Sequence, residues 1–184
     1  MKFSGKGQPL TRPGLSKALA ILGLGPNDAA YIWTVVEVET AGLTQGFGFR
    51  TDRRPQILFE RHMFRKYTNG PFDHEAPDIS GPAGGYGLLS EQYSKLEKAL
   101  SLCAKAKLGA EPALQSASWG MGQIMGFNCG VAGYKSCVKM VQAMVRSEDH
   151  QLACMARFLK ANGLAEKLVR KDWAGFARMY NGPG

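Results

Sequence analysis

A mostly α-helical fold with one small β element is what this sequence predicts, on three observations. Apolar residues recur at helical spacing along most of the chain. Glycine and proline clusters punctuate those segments, and only Gln56 to Phe59 reads as a short strand. With 184 residues, 45% hydrophobic and 21% charged, the chain suits a single domain over residues 1–184 with a sizeable core, and neither disorder nor a fibrous protein fits.

The first ten residues have little pattern and read as an arm laid on the surface. Thr11 can cap a helix carrying Leu15, Ala18, Leu19 and Leu22, which Gly23 and Gly25 end. Asn27 or Asp28 caps the next, AAYIWTVVEVETA, which is apolar almost all round and is therefore expected to be buried, with the other helices packed around residues 29–41. After the Gln56–Phe59 strand comes a helical HMFRKY segment. Residues 69–87 hold five glycines and three prolines, the composition of a long structureless loop bordering a working cleft. Helical patterns then recur over Glu91–Lys107, Glu111–Ala117, Ser136–Arg146, Asp149–Asn162, Ala165–Val169 and Trp173–Tyr180.

Lysine and arginine outnumber acids by 23 to 15, a net charge of +8 that suits a polyanionic partner: nucleic acid, anionic membrane or cell-wall polymer. No apolar run approaches the roughly 18 residues of a membrane span, and MKFSGKGQPL lacks the apolar stretch of a signal peptide, so synthesis in the cytoplasm is expected. The spacing of Cys103, Cys129, Cys137 and Cys154 matches neither a zinc site nor a disulfide scaffold and reads as buried free thiols. His62, His74 and His150 are scattered, so no metal and no cofactor are expected. Between Gln151 and Lys171 an apolar stripe of Leu152, Met155, Ala156 and Leu159 lies among cations with a net +4, either a core stripe with a solvated face or a contact for anionic lipid such as the outer membrane. The core reading is preferred for the folded protein.

Glu37 and Glu39 share the apolar helix but point about 200° apart, so they cannot line one cleft together. Glu39 falls in the last turn, where the helix dipole and neighbouring valines disfavour a carboxylate and should raise its pKa. A carboxyl kept protonated near neutral pH is what a general acid needs; the plainer alternative is a surface glutamate on a half-buried helix.

Two further runs bear on that choice. Ser118-Trp119-Gly120-Met121-Gly122-Gln123-Ile124-Met125-Gly126 and Tyr180-Asn181-Gly182-Pro183-Gly184 resemble the two downstream signatures of lysozyme-like muramidases and transglycosylases, and Glu39-Thr40-Ala41-Gly42 resembles the upstream one. More narrowly, Val38-Glu39-Thr40, the run Asp52 to His62, Gly84-Gly85-Tyr86-Gly87, Ser116 to Gly120 and Phe176-Ala177-Arg178 before Tyr180 make the chain similar to the N-acetylmuramidase family of phage endolysins and related bacterial proteins.

That resemblance implies an α+β lysozyme-like fold and a monomeric enzyme cutting the bond between N-acetylmuramic acid and N-acetylglucosamine in peptidoglycan. It makes Glu39 the catalytic acid. Ser118, Gln123, Tyr86, Tyr180 and Asn181 become residues that hold the sugar or orient the acid, although a buried amide or phenol could also be structural. Glu60 could activate water in an inverting mechanism, or pair structurally with Arg61, Arg53 or Arg54. An endolysin of this kind would wait in the host cytoplasm and act on the wall in the periplasm. The chain departs from the family pattern at Leu43–Phe49, which looks longer than the usual link, and at Gly184, where relatives usually continue into another helix. Two rival readings are a lytic transglycosylase using Glu39 alone, and a nucleic-acid-binding or virion protein. The second has no recognition-helix or zinc-finger pattern in its favour, so no nucleic-acid partner is expected.

Overall fold

The computed structural model describes residues 2–40 and 48–180. Helix α1 (Arg12–Leu22) starts where the sequence signals it: Thr11 is extended, its hydroxyl accepts the Gly14 amide hydrogen at 3.0 Å, and Pro13 occupies the first turn. Gly23 ends it in the left-handed conformation at φ 75°. A 3-10 turn at Pro26–Asp28 leads into α2 (Ala29–Thr40). Then follow β1 (Ile57–Phe59), α3 (Arg61–Thr68), α4 (Gln92–Lys105), α5 (Glu111–Gln115), β2 (Ala117–Trp119) and β3 (Ile124–Met125). The remaining helices are α6 (Cys137–Met144), α7 (Glu148–Ala161), α8 (Leu164–Val169) and α9 (Trp173–Tyr180). No single described helix is long and apolar enough to cross a membrane.

The helices match the expected segments to within a few residues, but the helix at the centre is α7 and not α2. Among the described side chains of α2 only Ile32, Val35 and Val36 are buried, a narrow i, i+3, i+4 stripe, while Glu37 is exposed and Val38 is 66% exposed. On α7, Leu152, Cys154, Met155, Ala156 and Leu159 are all at 0%. Its charged residues stand mainly at the ends, so its middle can be surrounded. The stripe expected at Leu152, Met155, Ala156 and Leu159 is thus core, and a lipid contact through it would require α7 to leave the protein. Helix α1 lies along α7, and Gly14 lets the two approach: a Cβ there would fall 1.9 Å from Asp149 Oδ1.

The β element is a three-stranded antiparallel sheet in the order β1-β2-β3, with Leu58 opposite Ser118 and Ser118 opposite Met125. The helix expected to run on to Ala117 stops at Gln115, and Ala117 opens β2. Ile57, Phe59, Trp119 and Ile124 turn into the core. Opposed residues share a face, so Leu58, Ser118 and Met125 form the other side.

The N-terminal arm is anchored and does not merely lie on the surface. Phe3 is 6% exposed, with ring centroids 5.5 Å from Tyr93 and 5.9 Å from Trp119. Gln8 pairs with Ser147 in a parallel bridge, and the Glu148 amide donates to Gln8 O at 2.9 Å. The Phe3→Ala variant is expected to lose about 3 kcal/mol of stability, because a buried ring is removed from between two others. Urea unfolding checks this, and an unchanged midpoint contradicts it.

Residues 69–87 are likewise more ordered than their composition suggests. Phe72, Ala76 and Ile79 are buried, and Arg61 donates to Pro82 O (2.8 Å) and Pro77 O (3.1 Å). Lys98 pairs with Asp78 at 2.8 Å. Among the cysteines, Cys103, Cys137 and Cys154 are buried and Cys129 is half-buried, all as free thiols; burial pushes the Cys154 thiol up to about 12.

Candidate active site

Glu39 stands in the last turn of α2, half-buried, and burial raises its carboxyl above the ordinary glutamate value. Glu37, two residues earlier, faces solvent. The separation expected from helical geometry therefore holds in burial: Glu39 is half-buried and Glu37 is exposed.

Tyr180, at the end of α9, is Glu39's neighbour. Burial raises the phenol well above its usual value, and the Glu39 carboxylate raises it further. Its ring stacks on Phe176 with centroids 5.3 Å apart and meets Phe158 edge-on at 5.8 Å. Its hydroxyl turns inward and donates to Gly122 O. Gly122 belongs to the turn joining β2 to β3, so Tyr180 ties the end of α9 to the hairpin while feeling the charge of Glu39.

That turn is held from within. Gly120 (φ 69°) and Gln123 (φ 43°) both adopt positive φ, and Gln123 Nε2 donates to Gly120 O at 2.7 Å. Ser118 Oγ donates to Gln123 Oε1 at 2.7 Å, so two of the expected sugar-binding residues hold one another. Gln151, 1% exposed on α7, accepts the Met121 amide hydrogen at 2.9 Å and donates to Met144 O at 3.1 Å. A glutamine amid apolar α7 residues has no sequence signal for this role, and it escaped the reading of the sequence.

Glu60 follows β1. Its amide donates to Ser116 O at 2.8 Å, extending the ladder by one bond, and the two-residue period returns its side chain to the face of Leu58 and Ser118. The hairpin turn lies at the other end of β1, where Gly120 donates to Gln56 O at 2.8 Å. Burial raises the Glu60 carboxyl, and His62 opposes that shift. The His62 Nε2 to Glu60 Oε2 distance is 3.3 Å. The arginine pairings are corrected: Arg61 holds the 77–82 loop, Arg53 donates to Gly7 O, and Arg54 pairs with Asp52 at 2.7 Å. The histidine two residues on was the available signal.

Tyr86 is 40% exposed, and its carbonyl accepts from Gln92 Nε2 (2.8 Å) and Lys95 Nζ (2.7 Å). Asn181 lies outside the described residues. Among the described residues no group of three or more His, Cys, Asp or Glu side chains could hold a metal ion.

A helical body, a small antiparallel sheet and a half-buried glutamate at a helix end are features of the lysozyme-like class. Within it, the N-acetylmuramidase family model matches residues 28–184, and the chain belongs to that family. Among solved structures, the crystal structure of the Burkholderia AP3 phage endolysin is similar, with a TM-score of 0.76 and 34% identity. The match covers 95% of this chain and 64% of that one, so this chain spans under two thirds of the length of that endolysin. Nothing among the curated proteins matches. The family match begins after α1, yet the arm and α1 are part of the same core.

Proposed function

We propose that this protein is an endolysin-type muramidase that hydrolyses the β-1,4 bond between N-acetylmuramic acid and N-acetylglucosamine in peptidoglycan, with Glu39 as the general acid. The observation that carries the reading is Glu39 itself: a half-buried carboxyl with a raised pKa, at the end of α2 and beside Tyr180. Such a group holds its proton to a higher pH and can deliver it to a leaving glycosidic oxygen. Ser118, Gln123, Tyr180 and Asn181 then shape the sugar site, with Tyr86 at its rim. The protein works as a monomer, reaching the wall in the periplasm after synthesis in the host cytoplasm.

Glu60 is the base in this reading. In this reading Glu39 acts from the hairpin end of the sheet, where Tyr180 bonds to Gly122 O, and Glu60 from the other end of β1, a spacing that suits an inverting enzyme with water between its two carboxyls better than a retaining one with a close pair. Burial makes Glu60 more basic, and His62 orients it. Products are expected to carry a free reducing muramic acid end and no 1,6-anhydro ring, and Glu60→Gln is expected to impair turnover more than wall binding. Mass spectrometry of the released muropeptides decides the point, since products lighter by one water identify a transglycosylase.

A further inference from the structure

Beyond Glu60 the surface continues into a groove of about 450 Å³ between α3 and the 69–82 loop, lined by His62, Arg65, Lys66, Asn69, Asp73 and Pro82. Its walls are built. Arg61 pins the loop through the Pro77 and Pro82 carbonyls, Phe72 and Ile79 root it in the core, and Arg65 pairs with Asp73 at 2.7 Å. Asp73 also accepts from Ser80 Oγ at 2.5 Å, so the one carboxylate in the groove is committed to its own wall. Lys66 has no carboxylate partner among the described residues; its ammonium lies 5.9 Å from the Tyr67 ring centroid. His62 belongs both to this groove and to the Glu60 pair, so the groove lies one side chain away from the proposed water-activating carboxylate.

The chemistry of the bond decides what should lie there. Water activated by Glu60 attacks the anomeric carbon of the muramic acid, the sugar that bears a lactyl-linked peptide. The peptide therefore leaves the glycan beside Glu60, and its free carboxylates need cations. We propose that the groove receives the acidic stem peptide of the muramic acid residue being cut, with Lys66 as the specificity-determining cation. This inference rests on the muramidase reading and on Glu60 standing next to the reacting sugar.

The test compares kcat/KM of the purified protein on soluble, uncrosslinked glycan chains bearing stem peptides with that on the same chains stripped by an amidase. Wild type is expected to prefer the peptide-bearing chains, and Lys66→Glu to lose roughly tenfold of that ratio, the scale of one charge-assisted contact. The same charge reversal at exposed Lys160, on α7, is expected to keep the wild-type ratio. The inference is overturned if wild type shows no preference, if Lys66→Glu lowers both activities equally, or if Lys160→Glu erases the ratio as well. Failure of the underlying reading is separate: wild type would then release reducing ends from neither substrate. Thermal melting of each variant shows whether it is folded.

Discussion

Replacing Glu39 by glutamine is expected to reduce turbidity clearing of Gram-negative sacculi by a factor of about 10² to 10⁴, the usual contribution of a positioned general acid. The same variant should melt at or above the wild-type temperature once the pH exceeds the raised pKa of Glu39. Burial holds the Glu39 carboxyl above its ordinary value of 4.5, so the native state binds the proton more tightly than the unfolded chain. The stability this gives is fully present below that value and is lost as pH rises through the raised one. Above the raised value the wild type carries a negative charge in a half-buried place and glutamine carries none, so the difference should grow as pH rises through that value and vanish in acid. Glu37→Gln, altered at a solvent-facing position, should keep most activity. A dead Glu37→Gln beside an active Glu39→Gln would reverse the assignment.

Glu148→Ala is expected to cost about 2–5 kcal/mol, because two amide donors lose their carboxylate acceptor. The Glu148 side chain, in a residue 7% exposed, accepts the Leu10 amide hydrogen through Oε2 and the Gly48 amide hydrogen through Oε1, each at 2.9 Å. One carboxylate thereby joins the N-terminal arm, the chain approaching β1 and the first turn of α7. Glutamine has one acceptor oxygen in place of two, so Glu148→Gln should fall between alanine and wild type in urea unfolding. An alanine variant within about 0.5 kcal/mol of wild type, the range of an ordinary surface change, removes the argument.

What could be read in the sequence follows from how local each signal is. Thr11 and Gly23 bracket α1 by bonds to residues at most four positions away, so the helix is legible from its ends. Glu39 was legible because helix period and neighbouring valines act within one turn. β2 was missed because a three-residue Ala-Ser-Trp run is too short to show a period, and its pairing partner is some 60 positions earlier. The central helix was misassigned for a related reason. Apolar content all round α2 signals burial, but the neighbours that could cover Val38 are not encoded in α2. Glu148 looks like any acid in a first helical turn, and nothing nearby announces that its partners are Leu10 and Gly48. The same holds for Gln151 and the hairpin. His62 differs, since its distance of two residues from Glu60 was visible and only its meaning was not.

The docking of α1 on α7 orders events during synthesis. α1 ends at Leu22 and α7 at Ala161, so a ribosome must add well over a hundred further residues before the first helix meets its partner. At bacterial elongation rates of about 5–20 residues per second, that is roughly 7 to 28 seconds in which α1 lacks the helix it mainly packs on. Glu39 is made early and the α9 residue Tyr180 about 140 residues later, so the pairing at the candidate active site cannot form before α9 has been made. Arrested chains ending before residue 148 are therefore expected to be far more protease-sensitive than chains that include α7.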